Sequence, residues 1–110
     1  MKITVEQMNG VVIAVPLGKH LDASNAKEFK CNMAPILETS TKVVCDLSQF
    51  EFVDSSGLGA IVSCLRQLKA VGGDLKLCGM TKPIRSLFEL VRMHRIFDIL
   101  DTREEAVRAF

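Results

Sequence analysis

The chain has 110 residues, of which 48% are hydrophobic and 25% are charged, a length and composition typical of a single globular domain and unlike those of disordered chains. Its 14 basic and 13 acidic residues give a formal net charge of +1, which argues against nucleic acid or an anionic membrane as a partner. Because the apolar runs are too short to span a bilayer and no secretory signal opens the chain, we expect one cytoplasmic domain, residues 1–110.

Two apolar segments rich in β-branched residues open the chain, and Asn9-Gly10 separates them. Both central residues of a type I′ turn need a positive φ, which Asn and Gly adopt at low cost. The sequence therefore predicts an antiparallel hairpin.

A first helix is predicted after this hairpin. Its apolar positions recur at spacings of three and four, as one face of a helix requires: Ala26, Phe29, Met33, Ile36 and Leu37. Asp22 or Ser24 is a suitable N-cap. Pro35 is expected to bend this helix or end it early.

From residue 43 onward, predicted strands alternate with predicted helices. The strands are 43–47, 75–78 and 97–100, and the second helix carries an apolar face and ends at Gly72-Gly73. Thr81 is the expected cap of a third helix with Pro83 in its first turn, and Thr102 to Glu105 has the spacing of a capping box before a short fourth helix. This alternation predicts an α/β fold in which the hairpin and later parallel strands form one mixed sheet packed with about four helices.

The residues that enzymes and metal sites use are sparse. The four cysteines form no Cys-x-x-Cys pair and are expected to be buried, reduced thiols: Cys31, Cys45, Cys64 and Cys78. The chain has no Walker loop and no Gly-x-Ser-x-Gly elbow, and nothing places His20 or His94 beside a serine. We therefore expect a binding protein with no catalytic residue, metal or cofactor.

One segment stands apart, where the strand at 43–47 leads into the second helix. Asp54, Ser55 and Ser56 are all preferred N-cap residues, which alone could explain them. The next turns carry a stripe of small residues at helical spacing: Ser56, Gly59, Ala60 and Ser63. Two glycines in a first turn cost about 1 kcal/mol each relative to alanine, so either an internal strand or an external partner must approach closely there.

The run Asp54-Ser55-Ser56-Gly57-Leu58-Gly59, between a buried strand and an amphipathic helix, resembles the signature of the anti-sigma factor antagonists, bacterial members of the STAS domain family. The resemblance extends over nearly the whole chain. It implies that Ser56 is the phosphoacceptor, that a kinase-type anti-sigma factor is the partner, and that a PP2C-type phosphatase removes the phosphate. In that family the unphosphorylated antagonist sequesters the kinase and frees a sigma factor.

The resemblance also implies which residues contact the partner: Asp22, Asp54, Ser55, Ser56 and Gly57, with the remainder of the small-residue stripe expected to complete the surface. Lys19-His20 separates Gly18 from Leu21 by one residue more than is common in the family, which predicts a differently placed first loop and a different choice of partner. STAS domains also serve as subunits of stress-signalling complexes, lipid-transport machines and anion transporters, and this second function stays open at the level of sequence.

Overall fold

A computed structural model describes residues 1–110. The strands are β1 (Lys2–Met8), β2 (Val11–Leu17), β3 (His20–Leu21), β4 (Lys42–Asp46), β5 (Phe52–Val53), β6 (Asp74–Cys78) and β7 (Ile99–Leu100). The helices are α1 (Ala26–Thr39), α2 (Ser55–Lys69), α3 (Lys82–Leu90) and α4 (Arg103–Arg108), and a short 3-10 helix covers Met93–Arg95. None of these helices is both long enough and apolar enough to cross a membrane.

Five strands form one sheet in the order β1-β2-β4-β6-β7. The β1–β2 pair is antiparallel, and the other three pairs are parallel. Asn9 and Gly10 have φ angles of +52° and +79°, as a type I′ turn requires. The predicted mixed sheet, opening with an antiparallel hairpin and packed with four helices, is confirmed.

The sheet has an apolar cluster on each side. The larger one joins the sheet to α1, α2 and α3, and its fully buried side chains include Phe29, Leu68 and Phe88. On the other side, Ala106 and Val107 of α4 pack against Ile13 and Val44. The helix α2 therefore has one face buried in the larger core, and its opposite face is exposed to solvent.

The start of the first helix differs from its prediction. Neither Asp22 nor Ser24 is its N-cap; Asn25 occupies that position, and its side-chain oxygen accepts a hydrogen bond from the N–H of Asp22 instead of capping the helix. Pro35 does not end the helix, which continues to Thr39. Pro35 lies on the exposed side, and Leu37, one of the buried residues beyond it, anchors the last turn in the core.

Two further predictions are correct only in part. Thr81 occupies the N-cap position of α3, as predicted, but its hydroxyl makes no capping hydrogen bond and is buried without a partner. Three cysteines are buried free thiols, with burial raising the pKa of Cys64 to about 11 and that of Cys78 to about 12, but Cys31 is exposed. Its position on the outer side of α1 leaves it outside the apolar face that the helical spacing defined.

A second, two-stranded sheet was not predicted. His20 and Leu21 pair in parallel with Phe52 and Val53, and the carbonyl of Lys19 accepts hydrogen bonds from the N–H groups of Glu51 and Phe52 at 2.7 and 3.2 Å. This pair ties the loop after β2 to the segment that enters α2.

Candidate functional site

The start of α2 is fixed by Asp54. Its Oδ1 accepts a hydrogen bond from the N–H of Gly57 at 3.0 Å, and its carbonyl accepts one from Leu58. Its own N–H donates to the carbonyl of Leu21 at 3.2 Å. Ser55 and Ser56 are therefore the first two residues of a capped helix, and both are exposed to solvent.

The loop after β3 lies against this helix start. The N–H of Ala23 donates to Asp54 Oδ2 at 3.3 Å, so the second oxygen of the capping carboxylate holds the loop. Asp22 accepts hydrogen bonds from the hydroxyl and the N–H of Ser24. The Ser24 hydroxyl, its N–H and nearby His20 together outweigh slight burial and lower the pKa of Asp22. The structure thus brings Asp22 and Asp54 to the same end of the sheet as Ser56.

Gly57 faces inward. It is buried, and a Cβ added to it would lie 2.3 Å from the carbonyl oxygen of Leu21. A real Cβ cannot approach a backbone oxygen so closely, so this glycine is required by the packing of α2 against β3. The sequence left open whether an internal strand explained the glycines, and at Gly57 it does. The expectation that Gly57 contacts a partner through its own surface is therefore wrong.

Ala60 also lies on the inner side. It is 3% exposed and belongs to the larger core cluster, which contradicts its predicted place on the partner-binding stripe. A small residue at this position lets the core pack closely around α2, so its size has an internal explanation.

The other three residues of the stripe, Ser56, Gly59 and Ser63, are exposed. We call these three residues the outer strip. A Cβ added to Gly59 would have no atom within 4 Å, so no internal contact explains a glycine there. The outer strip is a nearly flat helix surface that begins at an exposed hydroxyl.

Sequence reasoning did not single out Phe52, although this residue is 55% exposed on β5, two residues before the Asp54 cap. Its neighbours Phe50 and Val53 are buried. The run Phe50-Glu51-Phe52-Val53 carries no signal that tells which aromatic ring faces solvent, because that depends on the unpredicted β3–β5 pair. Exposed aromatic residues are frequent anchors in protein interfaces.

The two histidines occupy other surroundings. His20 Nε2 lies 3.9 Å from Asp22 Oδ2. His94 lines a cavity of ≈ 500 Å³ whose other walls come from α3, residues 97–100 and Ala109, which follows α4. None of these residues belongs to the start of α2. No group of three or more His, Cys, Asp or Glu side chains is placed to hold a metal ion. The start of α2 thus presents two exposed serine hydroxyls beside the nearly flat outer strip.

Comparison with known proteins gives consistent matches over the whole chain. The model of the STAS domain family matches residues 2–106. BtrV of Bordetella bronchiseptica, provisionally named an anti-sigma factor antagonist, is 31% identical over 100% of this chain and 95% of its own. The anti-sigma-B factor antagonist of Bacillus subtilis is 28% identical over 98% of this chain and 100% of its own. A crystal structure from Thermotoga maritima, also provisionally assigned as an anti-sigma factor antagonist, superposes with a TM-score of 0.88 at 29% identity, covering 97% and 92% of the two chains.

Proposed function

Because this chain belongs to the STAS domain family, we propose that it is an anti-sigma factor antagonist of the cytoplasm that binds an anti-sigma factor through the outer strip of α2. The partner is a serine kinase that the unphosphorylated chain sequesters, freeing a sigma factor. Phosphorylation of Ser56 ends the binding, and a PP2C-type phosphatase restores it.

The observation that carries this proposal is the exposed glycine at position 59, which no contact within the chain explains. An exposed glycine inside a helix costs about 1 kcal/mol relative to alanine, and nothing within the chain lies near enough to require it. An external backbone or side chain pressed against α2 gives a reason for the missing Cβ. The relatives described above are named as antagonists of anti-sigma factors, which supports the same partner class.

The position of Ser56 suits a phosphate that leaves the fold intact. Helix N-termini favour anions, because the free N–H groups and the helix dipole interact with negative charge. Ser56 is the second residue of α2, and its side chain is exposed, so a kinase has access to it. We therefore expect the phosphorylated chain to fold as the unmodified chain does.

The same phosphate is unfavourable once a partner covers the outer strip. The phosphate brings about −1.5 to −2 charges next to the carboxylate of Asp54. A partner that covered this surface would have to desolvate both negative groups, which is unfavourable. A loss of only ~3 kcal/mol lowers affinity by more than a hundredfold. Local charge and bulk thus suffice to release the partner, without a change of conformation.

The test measures binding to the anti-sigma factor that co-purifies with this chain from its native host. We expect Ser56→Ala to bind as the parent does, with or without ATP, and Ser56→Asp to bind at least roughly tenfold more weakly, because its carboxylate carries part of the phosphate charge. Ser86→Asp is the matched control, since Ser86 is an exposed serine on a different helix, α3. Equal binding by all three variants would contradict the proposal.

Mass spectrometry after incubation with the kinase and ATP identifies the acceptor. Ser55 is the alternative acceptor, since it is also exposed in the first turn of α2. We expect the phosphate on Ser56; modification of Ser55 alone would show that the switch lies one residue earlier.

A further inference from the structure

The strand β1 is an open edge of the five-stranded sheet, because its only neighbour is β2. It runs for seven residues, from Lys2 to Met8, in unbroken register with β2 and without a proline. Val5 in its middle is 52% exposed. Proteins usually shorten, bulge or charge such edges to prevent pairing with another chain. The strand β1 is neither short nor bulged, and its charged residues are Lys2 and Glu6.

The turn decides which backbone groups of β1 point outward. In a two-residue turn the flanking residues, here Met8 and Val11, form a hydrogen-bonded pair, and such pairs alternate along an antiparallel ladder. The backbone groups of Lys2, Thr4 and Glu6 therefore face β2, and those of Ile3, Val5 and Gln7 face outward. Pro16 lies opposite Ile3, and its lack of an N–H agrees with a position that makes no ladder hydrogen bond.

We propose that β1 pairs with β1 of a second copy of this chain, antiparallel, about a two-fold axis through Thr4. In this register Ile3 lies opposite Val5 of the second copy, and these residues exchange the outward backbone hydrogen bonds. Lys2 lies opposite Glu6 of the second copy, and the symmetry repeats this pair of opposite charges. The charges that would repel an unrelated strand thus attract an identical one.

The side chains support this register over its neighbours. Cross-strand pairs of opposite charge stabilise a sheet, and like charges directly opposite destabilise it. Glu6 already contacts Arg103, with Arg103 Nη1 2.6 Å from Glu6 Oε2, so its carboxylate is oriented on the α4 side of the sheet, which Lys2 and Thr4 share by the alternation of side chains. A register centred on Val5 would instead place Lys2 opposite Met8 and leave both charges without a cross-strand partner.

A two-fold axis through Thr4 predicts that cysteines at this position form a disulfide between the two copies. Thr4 and its symmetry copy form a non-hydrogen-bonded pair with a Cα separation of about 4.5 Å, within the range of about 4.4–6.8 Å that a disulfide allows. We expect Thr4→Cys, in a Cys31→Ser background that removes the one exposed native thiol, to form a covalent dimer on mild oxidation at least about tenfold faster than Gln7→Cys, because the two-fold axis holds the two copies of position 7 well apart.

Val5→Cys in the same background tests the register, and we expect it to react more slowly than Thr4→Cys. Lys2→Glu, added to Thr4→Cys, should slow cross-linking roughly tenfold by placing like charges opposite each other. Circular dichroism confirms that each variant is folded. Equal rates at positions 4 and 7, a faster rate at position 5, or no effect of Lys2→Glu would overturn the proposal. The partner protein is absent from these measurements, so their outcome is independent of the proposed function.

Discussion

The two faces of α2 use small residues for different reasons. On the inner face, the missing Cβ of Gly57 makes room for the Leu21 carbonyl, and Ala60 is sealed in the core. On the outer face, Gly59 has open space where its Cβ would be. The comparison shows that a glycine-rich motif at a helix start combines two separate requirements, one for the fold and one for the surface. Replacing each glycine by alanine, which adds one methyl group, can separate the requirement of the fold from that of the surface.

The largest effect is expected on the inner face. Gly57→Ala places a Cβ 2.3 Å from the Leu21 oxygen, so α2 or β3 must move, and overpacking of this kind costs about 3 kcal/mol. Urea unfolding followed by circular dichroism measures the free energy of unfolding. A Gly57→Ala chain as stable as the parent would show that α2 and β3 are not packed this closely.

The second-largest effect is expected at Asp54, which caps α2 and also holds the loop after β3. Asp54→Ala removes the cap of α2 and the contact to the Ala23 N–H, and loss of a cap costs about 1–2 kcal/mol. Asp54→Asn is the matched control, because one side-chain oxygen still accepts from Gly57. In thermal unfolding we expect Asp54→Ala to lose at least twice as much stability as Asp54→Asn. Equal losses would mean that the carboxylate charge, and not the cap, is what matters.

The inner face was only partly predictable from sequence. The hairpin followed from Asn9-Gly10, because a type I′ turn depends on the local chemistry of two residues. The helices followed from apolar spacing. The β3–β5 pair did not, since strands of two residues have no periodicity of their own and exist because the chain brings His20 and Phe52 side by side.

The outer face was predicted as a stripe of four residues, of which three are exposed. A helical wheel gives the direction of each side chain but not how far the surrounding core reaches around the helix, and Ala60 falls inside that limit. Likewise, Pro35 was expected to bend α1 or end it early, but the helix continues past it to Thr39, because Leu37 packs in the core. The motif around Ser56 could be recognised because its residues are contiguous, whereas the position of Phe52 depends on the β3–β5 pair.

The smallest effect is expected on the outer face, where it should have the opposite sign. Gly59→Ala adds a methyl group to an exposed helical position with nothing within 4 Å, so the free energy of unfolding should rise by about 1 kcal/mol. Affinity for the anti-sigma factor should fall several-fold, since the methyl group separates two closely packed surfaces. Calorimetry on the same preparation measures both quantities. A more stable chain with unchanged affinity would place the partner elsewhere on the molecule, whereas a less stable chain would mean that Gly59, like Gly57, is required by the fold.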